Sequence, residues 1–311
     1  MKTQLLTTLL AFSGVLLAAE PLISPWNVTQ HVKLDDFIIQ SHRGAGELST
    51  DNTREAFTLG WQLGTIPEAD VSTTKDGVII AFHDKDLGRV VKDLPKEWKG
   101  KPIKDLTFAE LRTLDVGAWK GAEFAGHRIP RLSEIFALMR GKPERRLYLD
   151  FKQVNLAQLA EEVRAAGVAS QVILAAPKQE IHLEWSRLVP GAQTLLWMGG
   201  SEKNKRERFE ALKKNGFQGI TQLQIHVRLP GDKEAKDILP GEPFTPSRAF
   251  LIEVSQKLAQ RGILFQTLPF GAKDESIYSA LLDLGFASFA SDHPDVTKAA
   301  VAKYYAAKKK P

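Results

Sequence analysis

LYLDFKQVNLAQLAEEVRAAGVASQVILAAPKQEIHLEWSRLVPGAQTLLW, residues 147–197, decides the fold. Leu147–Phe151, Gln171–Ala175 and Gln193–Trp197 are short apolar runs of strand length, and the segments between them, about 155–166 and 179–188, are long enough for helices. Strand and helix in strict alternation are the signature of an α/β fold. Downstream the rhythm continues, with strands over Gly219–His226, Ile263–Thr267 and Ala287–Ala290. Helices fall at about 202–214, 247–260 and 274–284, and a last one at about 295–307 closes the chain. Upstream, Phe37–Gln40 is a first strand, a helix spans about 52–63 with Phe57 and Trp61 on one face, and Glu68–Thr73 is a second strand. Val78–Phe82, after the turn Lys75-Asp76-Gly77, is a return strand or an extension of the second. That leaves eight parallel strands and predicts a TIM (β/α)8 barrel over residues 37–305. The competing architecture is an open doubly wound sheet, but no Gly-rich phosphate loop follows the first strand.

Residues 85–131 break the alternation. They are rich in Lys, Gly and Pro, with one helical signal at Thr107-Phe108-Ala109-Glu110-Leu111, where Thr107 and Glu110 have capping-box spacing. This reads as a small insertion of loops after the second strand region, and loops of this length inside a domain are usually functional.

The N-terminus is cationic at Met1-Lys2, apolar from Leu5 to Ala19, and polar again at Glu20. That layout predicts a secretory signal peptide over residues 1–19, with an apolar run short for a membrane span; an uncleaved N-terminal anchor is the alternative. A periplasmic or secreted protein follows, with no stable membrane insertion once the signal is cleaved. About 290 residues remain, an ordinary length for one barrel. The chain has no Cys, which rules out disulfides, thiol chemistry and a lipid anchor on Cys, and leaves oxygen or imidazole as metal ligands. The net charge of +5 is modest and sits partly in Lys308-Lys309-Lys310. No basic stripe interleaves with aromatics, so nucleic acid is not an expected partner.

Barrel active sites lie at the C-terminal ends of the strands. Those ends carry His42-Arg43, Glu68 and Asp70, His83-Asp84, and Asp150 with Lys152. Glu68 and Asp70 are two apart on a strand and share a face, and two such anions repel unless a cation or proton joins them. Asp150 from the next strand completes three oxygen ligands for Mg²⁺ or Ca²⁺. The plainer alternative is a salt-bridge network with Arg43 and Lys152. His42 and His83 suit general acid–base work near neutral pH, and Arg43 and Lys152 suit an anionic group such as phosphate. No Ser or Cys nucleophile with an associated base is apparent, so a phosphate-ester site is the better reading.

The succession His42-Arg43-Gly44, Asp51-Asn52-Thr53, Glu68-Ala69-Asp70, Thr74-Lys75-Asp76-Gly77 and His83-Asp84 resembles the glycerophosphodiester phosphodiesterase family. The likeness continues through Leu106-Thr107, Glu110-Leu111, Leu114-Asp115, Gly117, Trp119, Arg128-Ile129-Pro130 and Asp150-Phe151-Lys152 to Ser291-Asp292-His293-Pro294. It implies a TIM barrel with a small insertion. It also implies His42 and His83 as the acid–base pair, Glu68, Asp70 and Asp150 as ligands of a divalent metal, and Arg43 and Lys152 as phosphate contacts. The implied reaction is attack on phosphorus by the metal-activated glycerol hydroxyl beside the phosphodiester, expelling the alcohol. The cyclic phosphate then opens with water to sn-glycerol 3-phosphate.

The chain departs from the family pattern at Asp51 and Asp150, where Glu is expected, and at Phe265-Gln266-Thr267-Leu268, which lacks a Trp and an Asn. The shorter Asp150 retracts a ligand by about 1.3 Å, so the metal shifts, keeps an extra water or binds more weakly. Asp51 has a structural alternative as N-cap of the helix near Asn52. A lysophospholipase-D-like phosphodiesterase is the alternative enzyme, and an apolar exposed mouth would mark it. A non-catalytic phosphodiester- or metal-binding protein is the alternative outside catalysis, though simple binding needs no acid–base pair. His31, His127, His182, His226 and His293 are read as structural, with a place lining the mouth as the alternative for His226 on the sixth strand, and Trp119 and Phe124 as either a wall for the alcohol or packing within the insertion.

Overall fold

A computed structural model describes residues 22–231 and 234–308; the expected signal peptide, 1–19, and the tail residues Lys309 and Lys310 lie outside them. The chain enters at β1 (Ile38–Ser41) and continues through α1 (Arg54–Gln62), β2 (Ile66–Thr73) and β3 (Ile79–Ala81). Helices α2 (Phe108–Leu111) and α3 (Leu132–Met139) precede β4 (Leu147–Gln153). Then come α4 (Leu156–Ala166), β5 (Val172–Ala176), α5 (Gln179–Leu188), β6 (Gln193–Met198), α6 (Glu202–Lys214) and β7 (Gln222–Ile225). Short β8 (Val227–Arg228) and α7 (Ala235–Ile238) lead to α8 (Arg248–Ala259) and β9 (Leu264–Thr267). The chain ends with β10 (Pro269–Phe270), α9 (Glu275–Asp283), β11 (Ser288–Ser291) and α10 (Pro294–Lys308).

The main sheet has nine strands in the order β1-β11-β9-β7-β6-β5-β4-β2-β3, and β1 also pairs with β2. Among the strand pairings of this sheet in the described residues, only β2–β3 is antiparallel. β3 is therefore the return strand, and the remaining eight close into a parallel barrel. This is the (β/α)8 architecture read from the sequence.

Helix α4 shows why the alternation was legible. Leu156, Leu159, Ala160 and Val163 recur at helical spacing and are buried against the strands. Asn155 accepts from the Gln158 backbone at 3.0 Å to start the helix, and Gly167, in the left-handed region at φ 70°, ends it. Each such buried Leu or Val contributes about 1.5–3 kcal/mol. Helix α1 starts later than expected. Its N-cap is Thr53, which accepts from Ala56 N at 3.3 Å, so Asp51 is not a cap. Asn52 takes φ 56°, which turns its side chain and that of Asp51 toward the barrel mouth.

Within residues 85–131 the described backbone holds three-residue helical turns and α2 but no barrel strand. Leu87, Val90, Ile103, Leu106, Phe108 and Leu111 pack with Ile80 and Phe82 into a cluster of their own. The capping box at Thr107 and Glu110 forms as its spacing implied.

The barrel interior is partly polar. Tyr148, Ile173, Ala175 and Leu195 form an inner apolar cluster. Beside it Gln222, Gln224, Gln266 and Ser288 are buried and bonded to one another or to Tyr148. Gln266 belongs to the segment that lacks the expected Trp, and it serves here as the centre of an amide network.

Candidate active site

Loops and strand ends at the C-terminal mouth gather the polar residues. His42 and Arg43 follow β1, Glu68 and Asp70 lie within β2, His83 follows β3, and Asp150 and Lys152 lie within β4. The β2–β4 register sets Asp70 opposite Asp150. Oxygens of Glu68, Asp70 and Asp150 consequently lie within 4.8 Å of one another.

Glu68 and Asp70 are each 1% exposed. Burial, and then the charge of Asp70, lifts the Glu68 pKa to about 8. For Asp70 burial also pushes upward, but Lys152 and the two histidines outweigh it and hold this carboxyl below its ordinary range. Asn52 fixes Asp70 twice, donating to its Oδ2 at 2.8 Å and accepting from its backbone N at 2.9 Å. Asp150 is held at both oxygens, by Lys152 Nζ at 2.5 Å and by Trp197 Nε1 at 3.0 Å. Lys152 Nζ is also 3.1 Å from Asp70 Oδ1. By contrast, Glu68 Oε1 is buried without a hydrogen-bond partner. A bare buried carboxylate oxygen beside two more carboxylates, with no soft ligand nearby, fits a hard divalent cation with oxygen ligands.

Each histidine is oriented through Nδ1 by a carboxylate. His42 Nδ1 lies 2.6 Å from Asp292 Oδ1, and His83 Nδ1 lies 2.7 Å from Asp84 Oδ1. Burial works to lower the His42 pKa, but the Asp292 hydrogen bond and the charges of Glu68 and Asp292 lift it from 6.5 to about 9. The loop after β1 is locked to the loop after β11 to achieve this. Glu47 N donates to Asp292 O at 2.7 Å, and a Cβ on Gly46, at φ 59°, would fall 2.2 Å from that oxygen. Only glycine fits there.

Arg43, at φ 51°, donates its backbone N to Glu68 Oε2 at 2.8 Å and Nη1 to Asp51 Oδ2 at 2.9 Å. Arg89, from the insertion, donates to the same Asp51 oxygen and to Asp84 Oδ2, both at 2.7 Å. Its guanidinium lies over the Trp119 ring at 5.0 Å. A continuous ionic chain thus runs His83–Asp84–Arg89–Asp51–Arg43.

All seven residues singled out from the sequence meet at this mouth. The residues that hold them, and that were given no site role, are Asp292, Asp84, Asn52, Asp51, Arg89 and Trp197. Asp292, Asp84 and Trp197 had a signal, since each lies at or just after a strand end, and Asn52 and Asp51 stood in the family-like motif; Arg89 had none. Trp119 donates Nε1 to Val116 O at 2.9 Å, and Phe124 packs edge-on against His127, so both pack within the insertion. His182 is buried with Nε2 3.0 Å from Ala176 O, His31 stacks on Trp26, and His127 Nδ1 lies 2.7 Å from Thr50 Oγ1.

Barrel and mouth together define an α/β-barrel protein with paired histidines beside a buried carboxylate cluster compatible with a divalent cation. The profile of the Glycerophosphoryl diester phosphodiesterase family matches residues 42–296, and the chain belongs to that family. A glycerophosphodiester phosphodiesterase of Caldanaerobacter subterraneus is 37% identical over 106 residues, a stretch covering 34% of this chain and 41% of that protein. The chain thus spans less than half the length of that relative. Among solved structures, a glycerophosphodiester phosphodiesterase from Agrobacterium tumefaciens superposes with a TM-score of 0.62 at 22% identity, covering 85% of this chain and 99% of the other. A phosphodiesterase from Oleispira antarctica, in complex with the product sn-glycerol-3-phosphate, gives 0.61 at 23%, covering 85% and 96%.

Proposed function

We propose that the protein hydrolyses glycerophosphodiesters to sn-glycerol 3-phosphate and an alcohol, with Ca²⁺ or Mg²⁺ held by Glu68, Asp70 and Asp150. The observation that carries this reading is the pairing of two carboxylate-oriented histidines with a cluster in which Glu68 Oε1 lacks any partner. A bound cation would supply Lewis-acid polarisation of the phosphate and of the attacking hydroxyl. His42, whose pKa stands at about 9, holds the proton that the leaving alcohol needs. His83 takes the proton of the glycerol hydroxyl as that oxygen bonds to phosphorus. The P–O bond to the alcohol breaks, and His42 gives its proton to the departing oxygen. Water then opens the cyclic phosphate with the two roles reversed. Arg43 and Lys152 offset charge on the phosphate oxygens.

The mouth does not favour a lysophospholipid. Of the exposed large hydrophobics among the described residues, Leu48 alone lies on a mouth loop, and the apolar side chains of the insertion pack within their own cluster, so the mouth presents little apolar surface. The apolar N-terminal run supports a site of action outside the cytoplasm. Purified protein incubated with glycerophosphocholine, glycerophosphoethanolamine or lysophosphatidylcholine, with Mg²⁺, Ca²⁺ or chelator, tests the proposal. Release of sn-glycerol 3-phosphate that needs the cation and falls about 10²–10⁴-fold in His42→Ala is expected. Full activity in excess chelator would sink it.

A further inference from the structure

His226 follows β7 at the mouth, and the network beneath it fixes which of its nitrogens carries the proton. The direction of the network is set on β11. The Ser288 hydroxyl donates its one hydrogen to Ile38 O at 2.8 Å. Whatever approaches Ser288 Oγ must then be a donor, so the Gln266 amide presents Nε2 to it, at 2.9 Å. Gln266 Oε1 in turn faces Gln224 and accepts from its Nε2 at 2.5 Å. That leaves Gln224 Oε1 pointing at His226 Nε2, 2.9 Å away, which must therefore be N–H. Nδ1 keeps its lone pair.

The ring is also held in place. It stacks on Trp197 at 5.4 Å and 8°, meets Phe270 edge-on at 5.3 Å, and its backbone carbonyl accepts from the buried Lys205 Nζ at 2.7 Å. Burial, followed by the charges of Lys205, His42, Arg228 and Lys152, presses its pKa down to about 3, so it stays neutral beside the cationic mouth. No described residue bonds to Nδ1, and unlike His182 Nδ1 it is not among the sealed polar atoms. It opens beside Gly199, where a Cβ would stand 3.3 Å away.

We infer that His226 is a specificity-determining residue whose Nδ1 accepts a hydrogen bond from a hydroxyl of the substrate, with Gly199 bare so that the hydroxyl can reach it. The inference rests on the phosphodiester reading above and names a substrate class: diesters carrying a free hydroxyl beyond the reacting one. The hydroxyl belongs either to the glycerol moiety or to a polyol head group.

The test compares wild type, His226→Phe and Gly199→Ala, all as full-length Mg²⁺-loaded protein. Calorimetric binding of sn-glycerol 3-phosphate is set against propyl phosphate, which has the same carbon count and no hydroxyl. If the hydroxyl is on glycerol, both variants are expected to weaken glycerol 3-phosphate about 10-fold and leave propyl phosphate unchanged; a head-group hydroxyl leaves both monophosphates unchanged and shows only in turnover. In turnover, a rise in KM for glycerophosphocholine with little change in kcat assigns the hydroxyl to glycerol. A rise confined to glycerophosphoglycerol assigns it to the head group. Equal losses for both monophosphates would mean that the ring only shapes the mouth, and no change in any arm would likewise overturn the inference. Because binding is read separately from turnover, a wild type that binds glycerol 3-phosphate but hydrolyses nothing overturns the proposed function alone.

Discussion

The two sides of the mouth orient their histidines by different means. On one side His42 is held by Asp292 across 250 residues of chain, and Gly46 welds the two loops that carry them. On the other, His83 is held by the very next residue, Asp84, which depends on Arg89 in the insertion. The barrel fixes the first pair, while loop chemistry fixes the second. Under the proposed mechanism this would pair a rigid acid with an adjustable base, and Arg89 of the insertion reaches both the His83–Asp84 pair and, through Asp51, Arg43.

Removing each orienting charge in turn separates the two sides most strongly. Asp292→Asn is expected to lower kcat about 100-fold, whereas Asp84→Asn, with Arg89 still near, is expected to cost about 10-fold; steady-state rates on glycerophosphocholine decide. Equal losses would erase the distinction between the two sides. The pH profile sharpens it. His42 must be protonated to act as acid, so kcat should fall as pH rises through about 9, and Asp292→Asn should move that fall to lower pH.

Stability offers a second contrast. Gly46→Ala brings a methyl onto the Asp292 carbonyl and imposes a left-handed backbone on alanine, which should cost about 2–4 kcal/mol in denaturant unfolding. Arg89→Met on the other side should change stability by less than about 1 kcal/mol, since the Arg89 ion pairs are partly exposed, while lowering kcat about 3-fold. Between the two sides lies Glu68. Its carboxyl keeps a proton in the folded chain up to about pH 8 but loses it near 4.5 when unfolded. The metal-free fold therefore holds this contribution fully below pH 4.5 and loses it as pH rises toward 8. Melting scans should show Tm falling across that window, with Mg²⁺ reversing the fall and Glu68→Gln flattening it.

The barrel was legible because its strands and helices differ in length and period, as in β4-α4-β5, and because charged residues at strand ends stand out against apolar runs. Glu68, Asp70 and Asp150 were readable by register alone. Their supports were not. Asp51 seemed a helix cap because local spacing allowed it, but the left-handed turn at Asn52 moved the cap to Thr53 and released Asp51 to the two arginines. Arg89 sits in a segment without periodicity. His226 was legible as a strand residue able to line the mouth, but which nitrogen it offers depends on Gln266 and Ser288 from two other strands, contacts that no local pattern encodes.

The run from Ser288 through Gln266 and Gln224 to His226 has a consequence for how such a site can change. A direction set by one hydroxyl on β11 is passed upward by two amides, each of which can be read in only one sense. The Tyr148 hydroxyl, whose hydrogen goes to Gln222, accepts from the same Gln266 Nε2 at 3.3 Å and so fixes the amide in the same sense. The polarity of the ring at the rim is thus set twice at the floor of the barrel, and only a change that removes both acceptors frees it to turn.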